Sequence, residues 1–198
     1  MVIHKPAGVL TVPGKTEDLR DCVINRLLEV EPNTLLIHRL DRDTSGILVF
    51  GLSKWGQKTI SRQFQERETS KTYQAVVAGH LDGQGTVDVP VIYDPEHPPL
   101  HIADATHHKP AFTHWQATEH FEIQGQAVTR VELIPITGRS HQLRVHMQYL
   151  GHPIIGDTLY ASTAQQQLAQ RLCLHAERLS FYHPQTEQEV AFYAPVPF

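Results

Sequence analysis

The chain has 198 residues, a length that fits one domain, or one domain in two lobes, with a substantial core. Apolar residues at 40% and charged residues at 19% exclude a disordered chain; no apolar run reaches the length of a spanning helix, and no basic-then-apolar signal pattern opens the sequence. The net charge of −4 speaks against a uniformly basic nucleic-acid binder, but residues 38–71 carry seven Lys/Arg against four Asp/Glu and residues 139–172 carry three against one. Arginine outnumbers lysine eleven to six, which suits planar, bidentate contacts to phosphates and bases, so a phosphate-binding groove on an acidic body is expected. Cys22 and Cys173 form no Cys-x-x-Cys pattern and read as free core thiols of a reducing cytoplasm.

In chain order, residues 2–14 read as a strand end followed by a loop punctuated by Pro6, Gly8, Pro13 and Gly14. Apolar positions at helical spacing predict a helix over 18–30, stopped by Pro32. A buried strand follows over 46–52, then a helix from 53 to 68 with Ser53 as N-cap and Trp55, Ile60 and Phe64 spread over part of its surface. Residues 71–78 are strand-like, 79–85 a turn region and 86–93 another strand, with the Pro/His-rich 94–110 a loop. Strands 111–121 and 127–135 form a hairpin-like pair across Gln124-Gly125-Gln126. An amphipathic helix over 140–150, with Leu143, Met147 and Leu150 as its apolar stripe, precedes closing strands near 172–182 and 189–194. Strands outnumber helices and several pair as hairpins, which predicts an α+β fold around a mixed, largely antiparallel sheet.

Two segments carry chemistry on their face. In His38-Arg39-Leu40-Asp41-Arg42-Asp43-Thr44-Ser45-Gly46, an acid stands between two arginines in a polar turn that enters an apolar strand. Nearby positive charge favours the ionised carboxylate, and a strand-to-loop junction is a usual seat for a reacting group. In Gly138-Arg139-Ser140-His141-Gln142-Leu143-Arg144, a strand ends at a glycine and an arginine opens a helix with Ser140 as its cap, a setting that attracts anions. Fourteen histidines invite a metal reading, but His141 and His146 are five residues apart, roughly 140° around a helix. The His97, His101, His107, His108 and His114 group lacks ligand spacing. No metal is expected on this ground, and Walker, dinucleotide and nucleophile-elbow motifs are missing as well.

The first of these segments resembles the H-R-L-D-x-x-T-S-G signature of the RluA family of pseudouridine synthases, and the second the family's G-R-(S/T)-H-Q-(L/I)-R-x-H block. Residues 4–8 resemble the family's N-K-P-x-G segment, with His4 where Asn is usual, and 71–73 its K-x-Y block. Gly151 to Tyr160 is similar to a G-x-P-x-x-G-D-x-x-Y block, in which Asp157 reads as a structural turn residue; 172–176 matches a late L-x-L-H-A block. Relatives carry another strand before the first block, so the chain reads as a single catalytic domain over 1–198, short at its N-terminus and without a separate RNA-binding module. Stretches 62–74 and 134–162 resemble the branch that modifies both ribosomal and transfer RNA.

The resemblance implies isomerisation of uridine to pseudouridine in structured RNA, in an α+β catalytic fold of two lobes with the active-site cleft between them. It implies Asp41 as the catalytic residue, Arg139 as its ionic partner and Tyr73 against the target uracil, with Leu174 lining the uracil pocket. Arg39 is the candidate to fill the stack vacated by a flipped base, and Arg42, Arg62 and Arg67 are candidates for backbone phosphates. The implied partner is RNA, ribosomal and/or a tRNA stem-loop, and the implied reaction uses no cofactor; no membrane and no metal are expected, and the protein is expected to be a cytoplasmic monomer. Two alternatives stay open at this level. One is a hydrolase that releases free uracil, for which a second carboxylate would be needed. The other is a non-catalytic RNA-folding factor, against which the Asp41, Tyr73 and Arg139 set argues.

Overall fold

The computed structural model describes residues 1–198 as two compact units, Met1–Lys71 with His175–Pro197, and Thr72–Leu174 with Phe198. The architecture is α+β, and of the strand pairings described here only one is parallel.

In the first unit the fully buried strand β3 (Ser45–Gly51) is the centre, as its unbroken apolar run requires of a strand covered on both faces. Strands β1 (Val2–Lys5) and β2 (Leu35–Leu36) pair with it antiparallel. β10 (Leu174–Tyr182) joins it in parallel through His175↔Ser45 and Ala176↔Gly46, and β11 (Glu189–Tyr193) pairs antiparallel with β10. Gly46 has φ 120°, and a Cβ there would fall on the Ala176 backbone, with the amide nitrogen at 2.5 Å. The glycine after Thr44-Ser45 therefore sets how closely the two strands approach. Ile47, Val49, Ile60, Leu179, Phe181 and Ala194 form the core of this unit.

Helix α2 (Lys54–Glu66) starts as predicted, with Ser53 Oγ accepting from Gly56 N at 3.1 Å. Of its three apolar markers Ile60 is buried and Phe64 packs on the core, whereas Trp55 is 55% exposed. Gln63, 2% exposed, donates from Nε2 to Tyr182 O at 2.9 Å and accepts from Tyr182 N at 2.8 Å, tying the helix to β10 as a strand neighbour would. Helix α1 (Val23–Val30) is shorter than the predicted 18–30 and is preceded by a 3₁₀ turn over Glu17–Leu19. Val23 N and Ile24 N donate to Leu10 O and Thr11 O, so the N-terminal loop takes up the first helical amides and the helix begins only there.

The second unit is an antiparallel sheet in the order β4 (Ser70–Ala78), β9 (Gln126–Pro135), β8 (Phe112–Ile123), β5 (Gln84–Asp88). The β8–β9 hairpin turns on Gln124 and Gly125, both at positive φ (53° and 72°), as a two-residue loop with matching twist requires. Val77, Val128, Val131, Leu133, Met147 and Ile154 lie at the centre of its core. Trp115 packs over Gly85, where a Cβ would sit 3.1 Å from the indole.

Three local expectations are corrected here. The strand expected over 86–93 is two, β5 and β6 (Val91–Tyr93), because Pro90 carries no amide to continue a ladder. The expected loop 94–110 contains β7 (His101–Ala103), paired antiparallel with β6. Helix α3 (Gln142–Tyr149) begins after His141, not at a Ser140 cap, and a short helix α4 (Thr163–Gln166), closed by a Ser162/Gln165 capping box, was not anticipated. Cys22 and Cys173 are free and buried, and burial pushes the Cys173 thiol up to about 11. No helix is long and apolar enough to cross a membrane.

Candidate active site

Asp41 is half-buried in the first unit, on the irregular segment that leads into β3. The backbone on either side of it is clamped by residues from the N-terminal loop. Before it, Thr11 Oγ1 donates to Leu40 O at 2.8 Å and accepts from Leu40 N at 3.2 Å. After it, the carbonyl of Arg42 accepts from Gly8 N at 2.9 Å and from Lys5 Nζ at 2.8 Å. Lys5 is fully buried, and its ammonium gives its other two bonds to Pro6 O (2.8 Å) and Val9 O (2.7 Å), so all three donors are used. A buried ammonium ringed by carbonyls is the main post of this turn. The sequence marked Lys5 only through the resemblance of residues 4–8 to the family's N-K-P-x-G segment, without a role for it.

Below the turn, Thr44 and Ser45 are buried, and Ser45 Oγ lies 2.7 Å from His175 Nδ1. His175 Nε2, 3.2 Å from Ala194 O, must carry the proton because a carbonyl only accepts, so Nδ1 accepts from the serine. His38 stacks on Phe64 (centroids 4.5 Å, 23°) and accepts from Val49 N through Nε2 at 3.1 Å. Burial, with the Lys71 charge adding to it, holds its imidazole down at about 3. An unfolded histidine takes a proton near pH 6.5, so below that pH the unfolded state binds more protons than the folded one. The stabilisation is complete above pH 6.5 and drains as pH falls from 6.5 towards 3. Urea unfolding is expected to show His38→Gln losing about 1 kcal/mol less per pH unit than wild type across that window.

The two arginines that flank Asp41 stand differently in the structure. The Arg42 guanidinium grips Asp43, with Nε to Oδ1 at 3.0 Å and Nη2 to Oδ2 at 3.3 Å, because adjacent side chains close this fork without bending the clamped backbone. Arg39 is exposed on the same turn as Asp41. Arg62 donates to Glu66 (2.8 Å) and lies 3.9 Å from Glu68, while Arg67 is the exposed, left-handed C-cap of α2 (φ 62°).

Tyr73, Arg139 and Leu174 belong to the second unit. Tyr73 is half-buried on β4 opposite Leu133; Leu174 is 3% exposed within the core. Arg139 is exposed, with Nε donating to Pro110 O at 3.3 Å. Its backbone is fixed by Gln142, 3% exposed, whose Oε1 accepts from Arg139 N (3.0 Å) and Thr137 Oγ1 (2.8 Å) while Nε2 donates to Phe112 O (2.9 Å) and Thr113 Oγ1 (3.0 Å). The expected Ser140 cap is not made: the N-cap is His141, without a side-chain cap bond, and Gln142 instead ties down the segment before the helix.

His141, at φ 56°, is held by Tyr160 Oη, 2.6 Å from its Nδ1. Tyr160 Oη also accepts from His101 N at 2.9 Å, and the His101 and His141 rings lie 4.7 Å apart, so the β6–β7 hairpin is latched to the segment that carries Arg139. Beneath this latch Arg144 and Asp157, 3% and 0% exposed, form a two-pronged pair at 2.7 and 2.6 Å. Asp157 Oδ1 accepts further from Leu159 N and Tyr160 N, which makes it the structural turn residue the sequence suggested. Removing the latch oxygen with Tyr160→Phe is expected to cost about 1–2 kcal/mol in denaturant unfolding, the scale of a lost buried hydrogen bond. His146, fully buried, spends both ring nitrogens on Thr113 Oγ1 (2.8 Å) and Val89 O (2.9 Å), and burial lowers its pKa.

A half-exposed carboxylate on a turn fixed from both sides can attack an electrophilic carbon or take a proton without reorganising. Comparison with known proteins agrees with the class that this defines. Residues 1–149 match the RNA pseudouridylate synthase family model. The dual-specificity RNA pseudouridine synthase RluA of Pasteurella multocida is 46% identical over 199 residues, covering all of this chain and 90% of that protein. The protein of the same name from Vibrio vulnificus is 42% identical over 200 residues, covering all of this chain and 80% of its own length. Among solved structures, human RNA pseudouridylate synthase domain containing 1 superposes with a TM-score of 0.83 at 30% identity, over all of this chain and 80% of that one. Human RNA pseudouridylate synthase domain containing 4 gives 0.73 at 26%, over 99% and 85%. The chain belongs to the RluA family of RNA pseudouridine synthases. Its reaction is the isomerisation of uridine to pseudouridine in RNA.

Proposed function

We propose that Asp41 is the reacting carboxylate and that the substrates are uridines in ribosomal RNA, in the anticodon stem-loop of tRNA, or in both. The observation that carries the first part is the pair of clamps, Thr11 on Leu40 and Lys5 with Gly8 on Arg42, which fix the backbone around one half-exposed acid. The second part rests on relatives named as dual-specificity enzymes at 46% and 42% identity.

In this reading the C1′–N1 bond breaks, the uracil turns, and C1′ is rejoined to C5, whose proton leaves while N1 gains one. Asp41 attacks C1′ or the ring, or takes the C2′ proton. Arg139 is its ionic partner. Tyr73 holds the uracil, a ring–base contact worth about 1–3 kcal/mol, and Leu174 lines the pocket. The target base must leave its stack, at a cost of a few kcal/mol, and Arg39 fills the gap. Arg42 and Arg62 reach phosphates only by leaving Asp43 and the Glu66/Glu68 pair, which makes Arg67 the readier of the three. The protein works as a cytoplasmic monomer.

The test is incubation of the wild-type chain with uridine-labelled transcripts of a tRNA anticodon stem-loop and a ribosomal RNA hairpin, scoring pseudouridine and free uracil. Pseudouridine on either transcript without free uracil supports the reading, and the preferred transcript names the substrate. Free uracil would replace it with a hydrolase, and binding without turnover on either RNA would overturn the substrate assignment.

A further inference from the structure

The turn between β4 and β5 is braced more firmly than a surface turn needs. Gly79 and Gly83, at φ 81° and 80°, bracket it. Gly79 N donates to Ala127 O (2.8 Å), Leu81 N to Thr129 Oγ1 (3.0 Å), Thr129 Oγ1 to Gly79 O (2.8 Å) and Ala117 N to Gly83 O (2.9 Å). Leu81 is buried as a plug, so its neighbours His80 and Asp82 both stand outward on a fixed frame. On β8 the register shifts between Ala117 and Glu119, and this bulge sets His120 opposite Thr129, with its Nε2 2.9 Å from Leu81 O.

Three ligand atoms from these elements converge. His80 Nε2 and His120 Nε2 lie 3.3 and 3.4 Å from the same Asp82 oxygen, all three atoms fall within 4.8 Å of one another, and the two rings stack at 3.9 Å. Charge-assisted N–H···O bonds favour about 2.7–2.9 Å, so these contacts are long for hydrogen bonds. They match the separation of about 3–3.5 Å between neighbouring ligands on one ion with bonds of about 2.1 Å. We infer that His80, Asp82 and His120 form a surface site for one divalent transition-metal ion. Two imidazoles and one carboxylate suit zinc, nickel or copper and not the oxygen-seeking magnesium or calcium. On binding, the two rings turn out of their stack so that both Nε2 lone pairs face the ion, the proton that His120 Nε2 gives Leu81 O passes to Nδ1 or to solvent, and three protein ligands leave coordination positions open to solvent.

Isothermal titration of the full chain with Zn²⁺, and separately with Ni²⁺, tests this. One equivalent is expected to bind, with His120→Ala and Asp82→Asn each weakening it at least ~10-fold, the minimum scale for disturbing a metal's ligand set. All three residues are exposed, so the variants keep the fold, which circular dichroism verifies. His107→Ala with His108→Ala, another exposed pair with rings 4.5 Å apart, is expected to leave the affinity unchanged. Equal affinity in wild type and His120→Ala, loss of binding in the His107/His108 variant instead, or no binding tighter than millimolar would overturn the site.

Discussion

Asp41→Asn is expected to abolish pseudouridine formation, with a fall of about 10⁴-fold or more, the scale seen when an essential reacting group is removed. The amide keeps the size of the carboxylate but has neither its negative charge nor its basicity. The clamps around it use the backbone of Leu40 and Arg42 with the side chains of Lys5 and Thr11, none of which the substitution touches. The variant is therefore expected to melt near the wild-type temperature and to hold RNA with similar affinity. Single-turnover assays with labelled transcript, paired with a filter-binding measurement, separate chemistry from binding. Activity within tenfold of wild type would remove Asp41 from the reacting role and leave its turn as a structural feature.

Lys5→Met acts on the same reaction from beneath the turn. The substitution keeps an unbranched stem but deletes the ammonium that satisfies Pro6 O, Val9 O and Arg42 O. Arg42 O retains Gly8 N, and the other two carbonyls lose the partner described here. At about 1–3 kcal/mol for each buried group left unmade, a loss of about 4 kcal/mol is expected in urea unfolding. Activity measured where the variant is still folded is expected to fall about 10²-fold, since an ångström of misplacement at a reacting group costs that much. Lys5→Arg should not rescue either quantity: a planar fork cannot aim at three carbonyls that surround a point. Unchanged stability and turnover in Lys5→Met would show that the clamp is incidental to Asp41.

The parts of this molecule that the sequence made legible are those governed by local rules. The buried run of β3, the Ser53 cap, the Gln124-Gly125 hairpin and the closing strands follow from periodicity, capping and turn chemistry within a few residues of each position. Asp157 read correctly as a turn residue, although its partner Arg144 is thirteen residues away. Two of the departures were decided by a distant segment. The N-terminal loop took the amides that would have lengthened α1, and α3 starts only after His141, held at positive φ by Tyr160. The short β6–β7 pairing hid in a Pro/His-rich stretch because three-residue strands carry almost no periodic signal. At the site, Asp41 stood out through its motif, whereas Thr11 gave no sign of itself before the chain was folded. The histidines show the same limit: spacing along the chain argued against a metal, yet His80 and His120 are brought together only by a turn and a bulged strand.

The placement of the two tryptophans gives the molecule a built-in optical label. Trp55, on α2, lies in the first unit and is 55% exposed; Trp115, packed over Gly85, lies in the second. With one indole replaced by phenylalanine at a time, the emission of the other reports a single unit. Coincident denaturation curves from the two variants would mean that the units melt as one cooperative body, and separated curves that each has its own transition.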